Sequence, residues 1–492
     1  MKDTELPQPD KSWPENARSA YQTLILLVQK QTELNRQQSK QLHQQDEQLH
    51  QQSERLQKQE ATIQALKERL SLNSKNSNKP PSSDRKDKNQ AKRKRKASAK
   101  TRGGQPGHKG SSRELLEPTE VIPSQAPTDS CICGEHDWIP RGKILRHQVT
   151  ELPEILPEVI EYQRQSYDCR CCGQSRFDEG PLKGTDSQFG PRLHAHVISL
   201  YFQSRLSMRQ IQGHLQSLCN LSISVGAISG IIKRAGTLSK CYYDELKEWF
   251  QRDTSVKHVD ETGWRVGGES ATLIGSLNEH IELFQISKTR KRGDVQALLG
   301  EDKSRLIICD RAKVYYAWSN RQLCWAHVLR TFDFLAQSHG CKAHGKRLVQ
   351  NAESLFRYSR KYRTEALSEH EYLSLAQKIR MNIQLQLNQL NERLGISSLA
   401  RGKIKKLIEH EAQLWTFLKH PELKIHNNDQ ERALRTAVIK RKLSFGNDTW
   451  DGAHTFAQLL SVVQTLKRQK QSVKERFISL FESQSSSLIP TF

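Results

Sequence analysis

The sequence predicts a chain of several modules, the largest of them a mixed α/β domain. Strand-like runs recur in VKHVDETGWRV, ATLIGSL and IELFQI, and a helical piece near Gly293 to Leu299 leads to a buried-strand pattern, RLIIC, that runs into Asp310. A long helical stretch, about 338–423, then precedes a further helix in HNNDQERALRTAVIKRK. Ahead of this region lie heptads, a basic tract and two cysteine clusters, and 492 residues exceed what one core organises.

Lysine and arginine total 77 against 54 acidic residues, a formal net charge of +23, which points to a polyanionic partner: DNA, RNA or an anionic membrane. The longest apolar run, Leu24 to Val28, is too short to span a bilayer, and MKDTELPQPD has no hydrophobic signal core. The expectation is a soluble, intracellular protein with no membrane partner. Five of the ten cysteines, Cys131, Cys133, Cys169, Cys171 and Cys172, are clustered, as metal ligands in a reducing compartment are.

Residues 15–72 read as a coiled-coil helix, because Leu42, Leu49, Leu56, Ile63 and Leu70 recur every seven positions without Gly or Pro. Most companion core positions are Gln or charged, so a single solvated helix is the other reading. Residues 73–118 read as a disordered basic linker: between Arg85 and Arg113 twelve Lys or Arg face one acid, Asp87. Its densest run, Lys92, Arg93, Lys94, Arg95 and Lys96, is a candidate phosphate-binding arm.

Residues 119–185 read as a small zinc-ribbon-like module. LRHQVTEL and EVIEYQRQSYDC alternate like strands, and each cysteine cluster ends in Cys-Gly. One structural Zn²⁺ would be held by Cys131, Cys133, Cys169 and Cys172. The first cluster is C-x-C and the second C-x-C-C, so a metal-free remnant also fits. Residues 186–245 read as a helix-turn-helix: Leu206, Met208, Ile211, Leu215 and Leu218 form a stripe, Ser224 offers an N-cap, and the second helix turns Ser229 and Lys233 outward. An ordinary helical pair in a core is the alternative.

The α/β region spans 250–475, with its insertion at about 338–423 and a tail at 476–492. Three antiparallel strands, a crossover helix and a fourth strand ending in Asp is the order of ribonuclease-H-like folds, which sets the first and fourth strands side by side. Asp260 and Asp310, 50 residues apart, would then share a metal site. Phosphodiester transfer needs paired hard cations held by carboxylates. A third acid is supplied by Glu431, in the first turns of a helix capped by Asn427 or Asn428 and surrounded by Arg432, Arg435, Lys440, Arg441 and Lys442.

DETGWRV (260–266), ICD (308–310), QLCWAHVLRTF (322–332) and NNDQERALR (427–435), with NSKNSNKPPSSD and GGQPGHKG upstream, resemble the bacterial insertion-sequence transposases of the DDE class, insertion-sequence-sixty-six type. The resemblance runs from about residue 60 to 470. It implies a ribonuclease-H-like catalytic domain in which Asp260, Asp310 and Glu431 bind Mg²⁺ or Mn²⁺ to cut and join DNA. It also implies double-stranded DNA as partner, at element ends and target, a homo-oligomer on that DNA, accessory proteins from the same element, and a cytoplasmic, nucleoid-associated location in a bacterium. A zinc-binding module and a helix-turn-helix ahead of the catalytic domain belong to the same pattern.

Two departures matter: the irregular first cysteine cluster, and Asp310-Arg311-Ala312-Lys313, where the family carries glycine and tyrosine after the second acid. They motivate a competing reading, a non-catalytic DNA-binding relative. Cys324 and His327 form a C-x-x-H that is either structural or metal-binding. Trp264 is either a core aromatic or a platform for an unpaired base.

Overall fold

The architecture comes from a computed structural model, which describes residues 12–73, 76–77, 107, 114–142, 144–177 and 187–483. Lys92, Arg93, Lys94, Arg95 and Lys96 lie outside the described residues. Among those described, no helix is long and apolar enough to cross a membrane.

The heptads form α1 (Glu15–Leu70), 56 residues and so about 84 Å long. Its stripe is exposed, from 51% at Ile63 to 69% at Leu70. Among the described residues of the small cysteine region the strands are β1 (Ser166–Asp168) and β2 (Ser175–Phe177), paired antiparallel. LRHQVTEL forms no strand, contrary to its alternation. Leu145, Val149 and Leu152 are 92%, 79% and 80% exposed, so the alternation there buries nothing.

Four helices follow: α2 (Pro191–Phe202), α3 (Met208–Cys219), α4 (Val225–Leu238) and α5 (Lys240–Arg252). Asn220, in the left-handed region at φ 47°, ends α3, and Ser224 Oγ accepts from Ala227 N at 3.0 Å to start α4. Ile228, Ile231 and Ile232 are buried and Ser229 and Lys233 exposed, as the periodicity predicts.

The strands are β3 (Lys257–Val266), β4 (Glu269–Leu277), β5 (Glu282–Ser287), then α6 (Arg292–Leu299), β6 (Ile307–Cys309) and β7 (Arg321–Leu323). They make one mixed sheet in the order β5-β4-β3-β6-β7. β4 and β5 are antiparallel, whereas β3 with β6 and β6 with β7 are parallel. Next come α7 (Trp325–Gln337), α8 (Lys342–Arg363), α9 (Glu369–Glu392), α10 (Ser398–Glu409), α11 (Glu411–Leu414), α12 (Asn428–Ser444), α13 (Trp450–Arg468) and α14 (Val473–Ser483).

Two units divide the chain: Met1–Asp84, Thr254–Asp260 and Glu301–Glu431 form the first, and Arg85–Asp253, Glu261–Gly300 and Arg432–Phe492 the second. In the first, α7 and α8 pack so closely that a Cβ on Gly345 would overlap the Ala336 backbone. Its outer strand β7 is covered by side chains: Thr416 Oγ1 donates to Arg321 O at 2.7 Å, and Gln322 uses its own amide on Leu414 O and Phe417 N at 3.0 and 2.9 Å. In the second, α13 lies along β5, where Ser461 Oγ accepts from Phe284 N at 2.8 Å and Thr465 Oγ1 from Glu282 N at 3.1 Å. The tail expected from residue 476 is helical to Ser483, because Val473, Phe477, Leu480 and Phe481 share one buried face and α14 packs on α2.

That packing holds His194, 4% exposed, with Nε2 3.2 Å from Ser187 Oγ and its ring 4.8 Å from that of Phe481. Burial, helped by the Arg234 charge, lowers its pKa from 6.5 to about 4. The folded state therefore holds fewer protons than the unfolded chain between those values. Stability present above pH 6.5 is lost as the pH falls to about 4, a contribution on the order of 3 kcal/mol. His194→Gln should flatten this part of the stability profile in urea titrations at pH 7 and pH 5.

Candidate functional site

β3 and β6 pair with Lys257 opposite Ile307 and His258 opposite Ile308. Carried on residue by residue, that register sets Asp260 opposite Asp310, just past the end of β6. Neighbouring strands lie about 4.8 Å apart, and equal positions on parallel strands project to one face. Both aspartates are half-buried. β3 continues six residues beyond Asp260, so the acid lies inside the strand rather than at its end. Asp310 Oδ1 accepts from Ala312 N at 2.8 Å, which turns the chain sharply after the strand.

Glu431 lies in the first turn of α12. Its Oε1 is 3.1 Å from His327 Nε2 and its Oε2 3.8 Å from Arg330. The hydrogen bond from His327, followed by the charges of His327 and Arg330, lowers the Glu431 pKa against the opposing effect of burial. The carboxylate is thus kept ionised and aimed.

Two backbone positions beside the aspartates, Cys309 O and Val259 O, are joined through Cys324 and Asn427. Cys324 N donates to Cys309 O, next to Asp310, at 2.9 Å. Asn427 N donates to Cys324 Sγ at 3.2 Å, and Asn427 Nδ2 donates to Val259 O, next to Asp260, at 2.8 Å. With its amide turned that way, Asn427 Oδ1 accepts from His258 Nδ1 at 2.9 Å. Asn427 is 2% exposed and four residues before Glu431. It ties the start of α12 to β3 besides leading into the helix.

Cys324, His327 and Glu431 offer ligand atoms within 4.8 Å of one another, and among the described residues no other such group of His, Cys, Asp or Glu occurs. The carboxylates of Asp260, Asp310 and Glu431 are therefore not gathered within that distance as a trio. Sulfur, imidazole and carboxylate suit a zinc-like ion, whereas three carboxylates suit Mg²⁺ or Mn²⁺. Cys324 is buried, which pushes its thiol up to about 11, and its sulfur already accepts a backbone N–H. In this state the thiol is neutral and serves as a hydrogen-bond acceptor.

The sequence singles out Cys324 and His327 as a pair, but the ties of His327 to Glu431 and of Asn427 to β3 join residues 104 and 168 positions apart, which no local pattern reveals. Arg311 donates to Thr331 Oγ1 at 2.7 Å, so its guanidinium has a partner on α7.

The cysteine clusters form two similar turns, with Gly134 N donating to Cys131 O and Gly173 N to Cys169 O, each at 2.8 Å. Backbone and side-chain hydrogen bonds from Cys133 lower the Cys131 pKa, and backbone ones from Cys172 and Cys171 lower that of Cys169. No three of these thiols come within 4.8 Å of one another.

Of the basic candidates, Arg432 and Arg435 are exposed on α12. Arg441 donates to Thr262 Oγ1 at 3.2 Å and to Gly263 O. Lys440 departs from expectation: it is 1% exposed, its Nζ donates to Leu206 O at 2.7 Å and sits 3.3 Å from the centre of the Tyr201 ring, and burial lowers its pKa to about 7. The helix turns that side chain into the core, away from any phosphate. Trp264 is 3% exposed, stacked on Phe456 at 5.1 Å, and bonded through Nε1 to Asn447 Oδ1 at 3.0 Å, which makes it a core aromatic.

A sequence profile described as the transposase IS66 family matches residues 186–455, a span that contains all three acids, His327 and Asn427. A second, a family of unknown function (DUF6444), matches residues 6–114. No curated protein matches the chain. Since the first match covers more than half of its length, the chain belongs to the transposase IS66 family.

Proposed function

We propose that the protein is a DDE transposase with a ribonuclease-H-like catalytic domain, which hydrolyses phosphodiesters at the ends of an insertion sequence and directs the freed 3′-hydroxyl at target DNA. The observation that carries this reading is the parallel register of β3 and β6, which runs on to Asp260 and Asp310 within the family-matched span.

Asp260, Asp310 and Glu431 would hold divalent metal, Mg²⁺ or Mn²⁺; when bound, the ions polarise the attacked phosphate and offset charge on the attacking and leaving oxygens. The chain's own residues bind and orient. His327 and Arg330 fix the Glu431 carboxylate, and Asn427 holds the start of its helix to β3. Arg432 and Arg435 face solvent where a DNA backbone can be gripped, with Ser229 and Lys233 on α4 and the basic arm, residues 92–96, as further contacts.

In the same reading the exposed heptads of α1 pair with a second copy, and Cys131, Cys133, Cys169 and Cys172 close on one structural Zn²⁺, consistent with turns that favour thiolate at Cys131 and Cys169. The work would be done on DNA in the bacterial cytoplasm.

The test is cleavage of labelled element ends. Purified protein should cut them in Mg²⁺ or Mn²⁺ and not in excess chelator, and Asp260→Ala should bind the same DNA without cutting it. Equal cutting by parent and variant would defeat the reading. Binding without cutting by the parent under either metal would favour a non-catalytic relative.

A further inference from the structure

At the end of α12 the chain exposes an aromatic ring on a backbone that resists it. Phe445 has φ 59°, a left-handed conformation that bulky residues rarely adopt, and is 78% exposed. Neither burial nor a ring contact among the described residues offsets that cost. The segment is nonetheless firmly held. Phe445 N donates to Arg441 O at 2.8 Å, Asn447 N to Arg265 O at 3.0 Å and Gly267 N to Asn447 O at 2.9 Å. Gly446 lies so close to β3 that a Cβ would overlap the Arg265 carbonyl oxygen.

Beside the ring lies a cleft of about 620 Å³, lined by Gly263, Arg265, Ser270, Arg441, Lys442 and Phe445 among others, with three cations and no acid. A bulky aromatic kept in this conformation without burial is consistent with a use for its exposed face. A ring flanked by cations matches the two parts of a nucleotide, a flat base and an anionic phosphate. The cleft has the size of a small-ligand site.

We propose that this cleft takes an unpaired nucleotide of a DNA strand, its base stacked on Phe445 and its phosphates met by Lys442, Arg441 and Arg265. The proposal rests on the reading of the chain as DNA-binding, not on the identity of its catalytic acids.

The test uses the full chain and two fluorescein-labelled duplexes of the same sequence, one blunt and one with a three-nucleotide 3′ extension, in titrations followed by anisotropy. The parent should bind the extended duplex about tenfold more tightly than the blunt one, the size expected of one stacked base. Phe445→Ala should erase that difference without changing blunt-duplex affinity, and Phe445→Trp should keep it. Phe445→Asn, which tolerates the left-handed backbone, should erase it while raising the thermal midpoint. Lys442→Ala should weaken the extended duplex, lower its salt slope by about one and leave the blunt duplex unchanged.

A parent that does not distinguish the duplexes, or a Phe445→Ala variant that still does, overturns the proposal. A parent that binds neither duplex overturns it together with the DNA-binding reading. Asp260→Ala should retain the difference, which separates this subsite from the catalytic reading.

Discussion

Asp310→Asn should lower end cleavage by about three orders of magnitude while leaving end binding within twofold of the parent. The substitution keeps shape and an acceptor oxygen, so the 2.8 Å bond from Ala312 N that turns the chain after β6 can persist. On the proposed reading what is lost is one negative charge and one anionic metal ligand, and several kcal/mol of charge stabilisation in the transition state corresponds to about a thousandfold in rate. Single-turnover cleavage on a sequencing gel, beside a mobility shift on the same DNA, gives both quantities. Cleavage within fivefold of the parent would remove Asp310 from the metal-binding set.

Asn427→Ala should be the most damaging single truncation around the acids. It deletes the acceptor for His258 Nδ1 and the donor to Val259 O, both buried, without supplying water in exchange. Burial holds the His258 pKa down at about 4, so the ring is neutral near pH 7 and keeps its Nδ1 proton for this bond. Two orphaned buried groups cost about 3 kcal/mol together. Urea unfolding should show that loss, and cleavage should fall further than stability explains, because the start of α12 then loses a tie to β3. Asn427→Asp offers no donor to Val259 O and buries a charge, so it should be no better. A variant as stable and active as the parent would show that Asn427 is only a loop residue.

The strand order around Asp260 was legible because β4 and β5 show apolar runs with a polar turn between them, and because residues 50 apart on parallel neighbours fall in register. The cap at Ser224 was legible for a local reason: an N-cap is decided within three residues. The extent of β3 was not, since Thr262 and Gly263 resemble a turn and are kept in the strand by tertiary contacts such as those of Arg441. LRHQVTEL misled because alternation specifies a strand only where something covers one face. Lys440 misled because charge in a basic string says nothing of which side of a helix it occupies, and its amine ended over Tyr201. At the candidate site, the nearness of Asp260 to Asp310 followed from the strand order, and Cys324 and His327 stood out as a local C-x-x-H pair. The bond between His327 and Glu431 could not, because it joins distant segments only once α7 and α12 are packed.

The hydroxyls and amides placed along the two outermost strands have a consequence for assembly. A bare outer strand is a template on which a second polypeptide can add its own, whether a partner or an aggregating copy. Ser461 and Thr465 engage that template on β5, and Thr416 does so at β7, where the Gln322 side chain also ties the strand to Leu414 and Phe417. Growth by main-chain pairing is thereby disfavoured at either margin of this sheet.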